Sequence, residues 1–312
     1  MPDSSLISVV IPAYNSSATI AEAVEAVTTQ TYENWEVVVV NDGSTDDTGE
    51  VVRGLGLPAE RLRYVEQENA GEGVARNHGV ELARGELIAF QDSDDWWEPT
   101  KLEQQMAILA SHQPDVIFTN GYILGDATRA SLCETSGYYS TDDMFALLFQ
   151  YCPIFAMSIV TTKTALARAG HFRESGLLSR ACEDYDLWLR MAHTGSSFYC
   201  IPEQLVGYRV LAKSPQHRLD VRLTAELEAL DQFGASVRAG DPQAYDQRMR
   251  SLHNRLVAAH ARAGRMSDAR AELTEVRRFE GAMRVGAKRA ALALLGRRYA
   301  SLYRAIATGG RG

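Results

Sequence analysis

Cysteine is scarce: 312 residues contain only Cys133, Cys152, Cys182 and Cys200. They are far apart, with no C-x-x-C pair and no histidine at metal-ligand spacing. That argues against a disulfide scaffold or zinc module and suits free thiols in a reducing cytosol. Positive charge is also short, with 32 Lys and Arg against 40 Asp and Glu and a net charge of -8. A general nucleic-acid binder needs the opposite balance, because backbone affinity is built from cations facing phosphates. Long apolar runs are missing too. No stretch approaches the roughly 18 apolar residues that cross a bilayer. The N-terminus has no basic segment, and its apolar run, residues 6–12, is too short for a signal h-region. The expected location is cytoplasmic, at most against the inner face of the cytoplasmic membrane.

What remains is ordinary globular composition, 46% hydrophobic and 23% charged, enough for one large domain or a domain with an extension. Residues 7–11 form a continuous β-branched run, the pattern of a strand buried on both faces. Further strands are expected at 35–40, 62–65, 86–90 and 116–119. Helical spacing falls between them at 18–28, 46–53, 73–83 and, behind Pro99 as a first helical residue, 100–110. Such alternation means βαβ units, hence an α/β fold with a mostly parallel sheet covered on both faces. After residue 125 the alternation weakens. Helices are expected at 142–150, 164–169 and 183–194, and short strands at 155–160, 198–201 and 205–208. From residue 215 the pattern is helical only, broken near Gly240-Asp241-Pro242, Gly264 and Gly281, and residues 258–279 have the look of a helical hairpin. The shift separates residues 1–213 from a helical extension, 214–312.

In an open α/β sheet, ligands collect at the carboxyl ends of the strands. Three polar loops follow three strands here: Pro12-Ala13-Tyr14-Asn15, Asn41-Asp42-Gly43-Ser44 and Gln91-Asp92-Ser93-Asp94-Asp95. Three acids within four residues repel one another unless a cation offsets them, and Mg²⁺ or Mn²⁺ takes carboxylate oxygens while sharing its shell with substrate phosphates. In an extended segment Asp92 and Asp94 share a side and Ser93 points away. The plainer alternative is a turn in which Asp95 caps the helix behind Pro99. Asp42 reads either as part of a plain turn or as a carboxylate accepting an N–H from a nucleotide base. Residues 69–77 are a glycine-containing loop entering a helix, with Arg76 one turn inside, which suits a diphosphate. The loop has neither the G-K-[ST] of a P-loop nor the glycine triplet of a dinucleotide fold. Finally, Cys182-Glu183-Asp184-Tyr185-Asp186 heads a helix. Acids there are favoured by the macrodipole, and one of them, held on a rigid helix end, is also a plausible general base.

Taken in order, residues 8–15, Gln30-Thr31-Tyr32, residues 38–46, Ala75-Arg76-Asn77, Asp92-Ser93-Asp94-Asp95 and Glu183-Asp184 resemble the family 2 inverting glycosyltransferases, over about residues 6–210. The resemblance implies a GT-A fold, a Rossmann-like α/β/α sandwich with a mostly parallel mixed sheet. Residues 6–125 would bind the nucleotide sugar and 126–213 would form the acceptor side. Asp42 would hold uracil or another base, and Pro12, Ala13 and Tyr14 would line the nucleoside. Arg76 and Ser93 would belong to the donor site, Asp94 with Asp92 would bind Mn²⁺ or Mg²⁺, and Asp184 would deprotonate the acceptor hydroxyl. Glu183 and Asp95 occupy motif positions, and Trp96 would either stack on a sugar face or pack. Asn41 departs from the family's D-D-G-S turn. Q-x-x-R-W, the mark of processive synthases, is absent, which points to addition of one or few sugars to a discrete glycan, glycolipid or protein acceptor. A sugar-phosphate nucleotidyltransferase and an inactive binding module are the competing readings. The first lacks a glycine-rich loop after the first strand, and the second does not account for intact Asp42, Asp92, Asp94 and Asp184.

Residues 282–312 hold Arg284, Lys288, Arg289, Arg297, Arg298, Arg304 and Arg311 and no acid. Leu292, Leu295, Tyr299, Leu302, Tyr303 and Ile306 fall on one helical face. That face is expected either to pack on protein, including a second subunit, or to lie on anionic lipid.

Overall fold

The computed structural model describes residues 5–125, 136–210, 219–280, 282–296 and 299. The chain divides into two compact units, Met1–Ala212 and Lys213–Gly312. The first is built on a sheet whose strands are β1 (Ile7–Ala13), β2 (Trp35–Asp42), β3 (Leu62–Gln67), β4 (Leu87–Phe90), β5 (Trp96–Trp97), β6 (Val116–Ile123), β7 (Gly137–Tyr139), β8 (Val160–Thr162) and β9 (Phe198–Tyr208). Their order is β3-β2-β1-β4-β8-β6-β9-β5, with β7 also on β9. β3, β2, β1 and β4 run parallel, β8 enters antiparallel between β4 and β6, and β9 runs parallel to β6.

Helices cover both faces. Ile7, Val9, Ile11, Val37 and Val39 point to one side, where they meet α1 (Ile20–Thr28), α2 (Thr48–Arg53) and α4 (Lys101–His112) through Ile20, Val24, Val52, Leu102 and Met106. Val38 and Val40 point to the other side, onto α3 (Glu72–Leu82). There Gly79 lets α3 lie against β1, since a Cβ at that position would sit 2.3 Å from Val10 Cγ1. Both faces of these strands are thus buried, which is why they read as unbroken apolar runs. On the α3 side Phe90, Phe172 and Trp188 stack edge to face, which anchors α7 (Glu183–His193). α5 (Thr141–Gln150) and α6 (Lys163–Ala169) complete this unit.

Several expectations are corrected. Pro12 does not end the first strand, which continues to Ala13. Pairing with β4 stops at Val10, so Pro12 faces only β2 and its missing N–H breaks no central ladder. Residues 155–160 are not a strand; a 3₁₀ turn, Ala156–Ser158, precedes β8. The two segments expected at 198–201 and 205–208 are one strand, in which Pro202 and Glu203 are exposed at a register shift against β6. Helix α4 starts at Lys101 with Thr100 as its N-cap, so Pro99 lies outside it. Trp96 and Trp97 are not a helix start but the short strand β5 on β9.

The second unit contains α8 (Leu219–Asp231), α9 (Gly234–Gly240), α10 (Pro242–Arg262), α11 (Met266–Val276) and α12 (Ala282–Leu295). Asp241 caps α10 by accepting from the Ala244 N–H, with Pro242 in the first turn. Gly264, at φ 78°, turns the chain into α11 and makes the α10–α11 hairpin. Val285, Leu292 and Tyr299, seven residues apart, pack on Val257, Ala261, Leu273 and Val276. The apolar stripe of the tail is therefore covered within its own unit as far as Tyr299, and Leu295 is not part of it, being 37% exposed. Leu302, Tyr303, Ile306, Arg304 and Arg311 lie outside the described residues. Among the described residues Cys152, Cys182 and Cys200 are not in disulfides, and Cys133 falls outside the description. Among the described residues no helix is long and apolar enough to cross a membrane.

Candidate active site at the strand ends

The loop after β1 and the turn after β2 are joined by side-chain and backbone bonds. The Asn15 N–H donates to Ser44 Oγ (2.9 Å), and the Thr45 N–H donates back to Asn15 Oδ1 (2.8 Å). Asn15 takes φ 51°, a left-handed conformation that asparagine tolerates. The Ser16 and Ser17 N–H groups donate to Thr48 Oγ1 and Asp46 Oδ2. Burial would raise the Asp46 carboxyl, but donors from Thr48 and Ser17 outweigh it and hold the group at about 2. Pro12 and Ala13 are buried in this frame, and Tyr14 stands on the rim, 53% exposed.

Asp42 is 3% exposed at the end of β2. Its Oδ1 accepts from Gln67 Nε2 (2.8 Å) and the Ala70 N–H (2.9 Å), and its Oδ2 accepts from the Gly71 N–H (2.9 Å). Gln67 is in turn bonded through Oε1 to His78 Nδ1 (2.8 Å). Asp42 therefore ties the loop that leads into α3 to the end of β2. Gly43, at φ 74°, is required there, because a Cβ would sit 2.8 Å from the Asn69 backbone nitrogen. Gly43→Ala is expected to cost about 1–3 kcal/mol of stability, read as a lower urea midpoint with an unchanged m-value.

The Asp92-Ser93-Asp94 segment is not extended. The Asp95 N–H donates to the Asp92 carbonyl (3.3 Å), closing a turn, so the two-residue alternation expected for this segment does not apply. Ser93 Oγ reaches Ser16 Oγ (2.7 Å) and fixes the turn to the β1 loop. Asp95 does not cap a helix. It is 2% exposed and accepts from the Arg209 N–H (2.7 Å), while Arg209 Nε donates to the Asp94 carbonyl (2.7 Å) and Nη2 to Glu22 (2.6 Å). Burial and then the Asp92 charge push the Asp94 carboxyl up to about 6 against a weaker pull from Arg209. Burial, with Asp92 and Asp94, likewise pushes Asp95 well above the carboxylate range.

Arg76 is the hub. Its side chain is 2% exposed and reaches three carboxylates: Glu72 Oε1 (2.5 Å), Asp92 Oδ1 (2.8 Å) and Glu183 Oε1 (2.9 Å). The guanidinium lies over the Phe172 ring at 5.4 Å. Burial works against its charge, but the three acids keep it cationic. One side chain on α3 thus joins the turn after β4 to the head of α7. Next to Glu183, Asp184 Oδ1 accepts from the Tyr185 N–H (2.7 Å). Burial, then the Glu183 charge, push the Asp184 carboxyl up to about 7, with Arg76 and that N–H pulling the other way.

The rim so built brings together Asp92, Ser93, Asp94, Asp95, Arg76, Glu183 and Asp184, and ties Asp42 in through the loop at residues 69–71. Arg76, expected near a diphosphate, has Glu72, Asp92 and Glu183 as its ion-pair partners. Trp96 is partly buried against the core. Sequence reasoning overlooked Glu72, whose spacing of four from Arg76 on one helix was the available signal, and Arg209, which follows the end of β9. A cavity of ≈ 270 Å³ opens beside the hub, lined by Asn69, Ala70, Gly71, Glu72, Ser179, Arg180 and Glu183. Among the described residues no three His, Cys, Asp or Glu side chains gather as a ready metal cage.

A mostly parallel mixed sheet, helices on both faces and an acidic turn after β4 define a GT-A glycosyltransferase fold. The Staphylococcus aureus protein TarS in complex with UDP-GlcNAc superposes at a TM-score of 0.60, with 19% identity over 90% of this chain and 92% of that one. The mannosyltransferase PcManGT of Pyrobaculum calidifontis, in complex with GDP-Man and Mn²⁺, gives 0.60, with 20% identity over 98% and 84%. Residues 8–149 match the family described as glycosyl transferase family 2. A glycosyltransferase of Rickettsia typhi is 32% identical over 238 residues, 74% of this chain and 70% of its own length. Another, from Rickettsia felis, is 34% identical over 193 residues, and the match spans 31% of that longer protein. The chain belongs to glycosyltransferase family 2.

Proposed function

We propose that the protein transfers a sugar from a nucleoside-diphosphate sugar, with uridine as its nucleoside, to an acceptor hydroxyl with inversion at the anomeric carbon. The observation that carries this is the Arg76 hub. It joins Asp92, from the acidic turn after β4, to Glu183, the neighbour of a carboxyl poised near neutrality at Asp184. A general base works best when its pKa lies near the working pH.

The acceptor oxygen attacks the anomeric carbon while the bond to the diphosphate breaks on the opposite face. Its proton passes to Asp184, and the electron pair leaves with the nucleoside diphosphate. Asp42, with Pro12, Ala13 and Tyr14, holds the nucleoside, and the Ser16–Ser93 bond keeps that wall in register with the diphosphate wall. Arg76 orients Asp92 and Glu183 rather than meeting the donor itself. Asp95 and Arg209 secure the turn, and Trp96 braces it. The carboxyls of Asp92 and Asp94 fit a hard divalent cation, since Asp94 is held up at about 6 by burial and the neighbouring Asp92 charge. Mn²⁺ or Mg²⁺ at Asp94 and Asp92, completed by donor phosphate oxygens, would supply Lewis-acid stabilisation of the leaving diphosphate. The acceptor is a glycan, glycolipid or protein hydroxyl, met by residues 126–213, with 214–312 as a separate helical extension. A cytoplasmic site and cell-envelope polysaccharide synthesis would suit such an enzyme.

The test is a thermal-shift panel of UDP-GlcNAc, UDP-glucose, UDP-galactose and GDP-mannose with and without Mn²⁺. A binding donor is expected to raise the melting temperature by mass action and to be hydrolysed slowly to the nucleoside diphosphate. No shift and no hydrolysis with any member would sink the reading.

A further inference from the structure

We propose that the exposed side of the α11–α12 pair is a docking surface for an anionic lipid bilayer, with Arg270, Arg277, Arg284 and Arg289 drawn to the headgroups and Leu294 entering the interface. The proposal concerns the helical unit by itself and does not depend on the reaction proposed above.

Charge is divided unevenly along the chain. Residues 262–312 hold twelve Lys and Arg against four acids, whereas the residues before them hold 20 against 36. The four acids are taken up inside the unit: Asp268 by Arg265 (3.6 Å), Glu272 by His253 (2.7 Å), Glu275 by Arg278 (2.6 Å) and Glu280 by Lys288 (2.7 Å). Arg270, Arg277, Arg284 and Arg289 are exposed and, among the described residues, form no ion pair. Three of them lie on one surface. Arg270, Thr274 and Arg277 are four and three residues apart, so they share an exposed side at the end of α11. Arg289 of α12 donates from Nη2 to Thr274 Oγ1 (3.3 Å), which sets a third guanidinium beside the same threonine.

The two sides of α12 differ. Val285 and Leu292 are each 2% exposed and pack on α10 and α11. The opposite side presents Gly286, Ala287, Ala290, Ala293 and Leu294, all exposed, with Leu294 at 85%. None of these has a polar side chain, and Arg284 and Arg289 flank them. An apolar strip edged by arginines is the pattern of a helix lying in a bilayer interface, where the aliphatic stems lie along the strip and the charged heads stay in water. A second copy fits the strip poorly. α12 has 14 residues, about 21 Å of helix at 1.5 Å per residue. A strip about 10 Å wide then offers on the order of 200 Å², against about 800 Å² per partner in a stable interface. A twofold pair would also bring Arg284 and Arg289 of each copy against like charges. A nucleic acid would meet the arginines but leave Leu294 in water. A bilayer engages both.

Sedimentation of the full chain with vesicles tests this, using phosphatidylcholine alone and phosphatidylcholine with about 30% phosphatidylglycerol, an anionic surface that attracts basic segments. Binding is expected only to the anionic vesicles. It should weaken by about tenfold or more between about 0.1 M and 1 M NaCl, as the screening length falls from about 10 Å to about 3 Å. The combined variant Arg270→Ala, Arg277→Ala, Arg289→Ala should lower the partition coefficient by about a hundredfold, at about fivefold for each cation near the surface. The matching variant Arg270→Lys, Arg277→Lys, Arg289→Lys should bind like the wild type, because a bilayer reads charge rather than guanidinium shape. Leu294→Ser should cost about tenfold with the melting temperature unchanged. If the alanine variant melts lower than the wild type, the lysine variant and Leu294→Ser carry the test. Equal binding to both vesicle types, no binding to the anionic ones, or wild-type binding by both the alanine variant and Leu294→Ser would overturn the proposal. So would a short DNA duplex bound as tightly as the anionic vesicles, or a dimer in solution that Leu294→Ser abolishes, since each would assign the surface to another partner.

Discussion

Asp184→Asn is expected to lower kcat by about 10²–10⁴, the range that a positioned general base supplies, while leaving donor Kd within about threefold, a difference of under 1 kcal/mol. Asparagine preserves the shape and an oxygen for the Tyr185 N–H but cannot take the acceptor proton. The pH profile gives a sharper check than the rate alone. Burial and the neighbouring Glu183 hold Asp184 up to about 7, and the base must be ionised to work. Wild-type kcat/KM, which reports the free enzyme, should therefore rise with pH to a half-maximum near 7, and this limb should disappear in the variant. Stability has the opposite sign. A carboxyl whose folded pKa is raised binds its proton more tightly in the folded state, so its favourable contribution is complete below the ordinary carboxylate range and is lost as pH rises through about 7. Asp184→Asn should thus raise the melting temperature relative to wild type at pH 8 more than at pH 5. An unchanged profile with a tenfold or smaller loss would assign Asp184 to holding α7 rather than to proton transfer.

The elements that were legible are those with a one-dimensional signature. β1 and β2 are buried on both faces, and their valine and isoleucine runs announced it. The acids after β4 stood out because nothing local required three of them. Other features depended on contacts between distant residues. The extent of β1 past Pro12 depends on where β4 stops pairing, at Phe90 opposite Val10. The turn at Asp92 depends on a buried Asp95 satisfied by the backbone of Arg209, a partner 114 residues later. Strand β9 was read as two because the register shift falls at Pro202. The position of Arg76 on α3 was legible, but its occupation by Glu72, Asp92 and Glu183 required the packing of α3 against α7, which Phe172 mediates. A buried guanidinium with three acid partners has a consequence that motif matching does not supply: the Nη1 and Nη2 of Arg76 are engaged by carboxylates, and the buried Nε–H is left without a partner among the described residues. It joins the turn after β4 to the head of α7 through Asp92 and Glu183.

Asp94→Ala is expected to reduce donor turnover by on the order of 10³, because several kcal/mol of leaving-group stabilisation depend on the cation that this carboxylate would hold. On the proposed reading Asp94 would be the better ligand of the pair. Asp92 Oδ1 is already bonded to Arg76 at 2.8 Å, whereas the Asp94 carboxyl is held up at about 6 by burial and by Asp92. A divalent ion arriving there would relieve that repulsion and pull the Asp94 proton off, so metal affinity should increase with pH across about 5 to 7. Isothermal titration of Mn²⁺ in the presence of UDP measures this directly. Wild type should bind with an affinity that rises over that window, and Asp94→Ala should lose at least about tenfold, or 1.4 kcal/mol. Asp94→Asn separates charge from shape: it keeps the turn and the Arg209 contact to the Asp94 carbonyl yet should fail like alanine. If Asp94→Asn binds Mn²⁺ and turns over donor like the wild type, the charge at Asp94 is not what the diphosphate needs. Stabilisation of the leaving group would then have to come from cationic side chains such as Arg209, whose Nε donates to the Asp94 carbonyl.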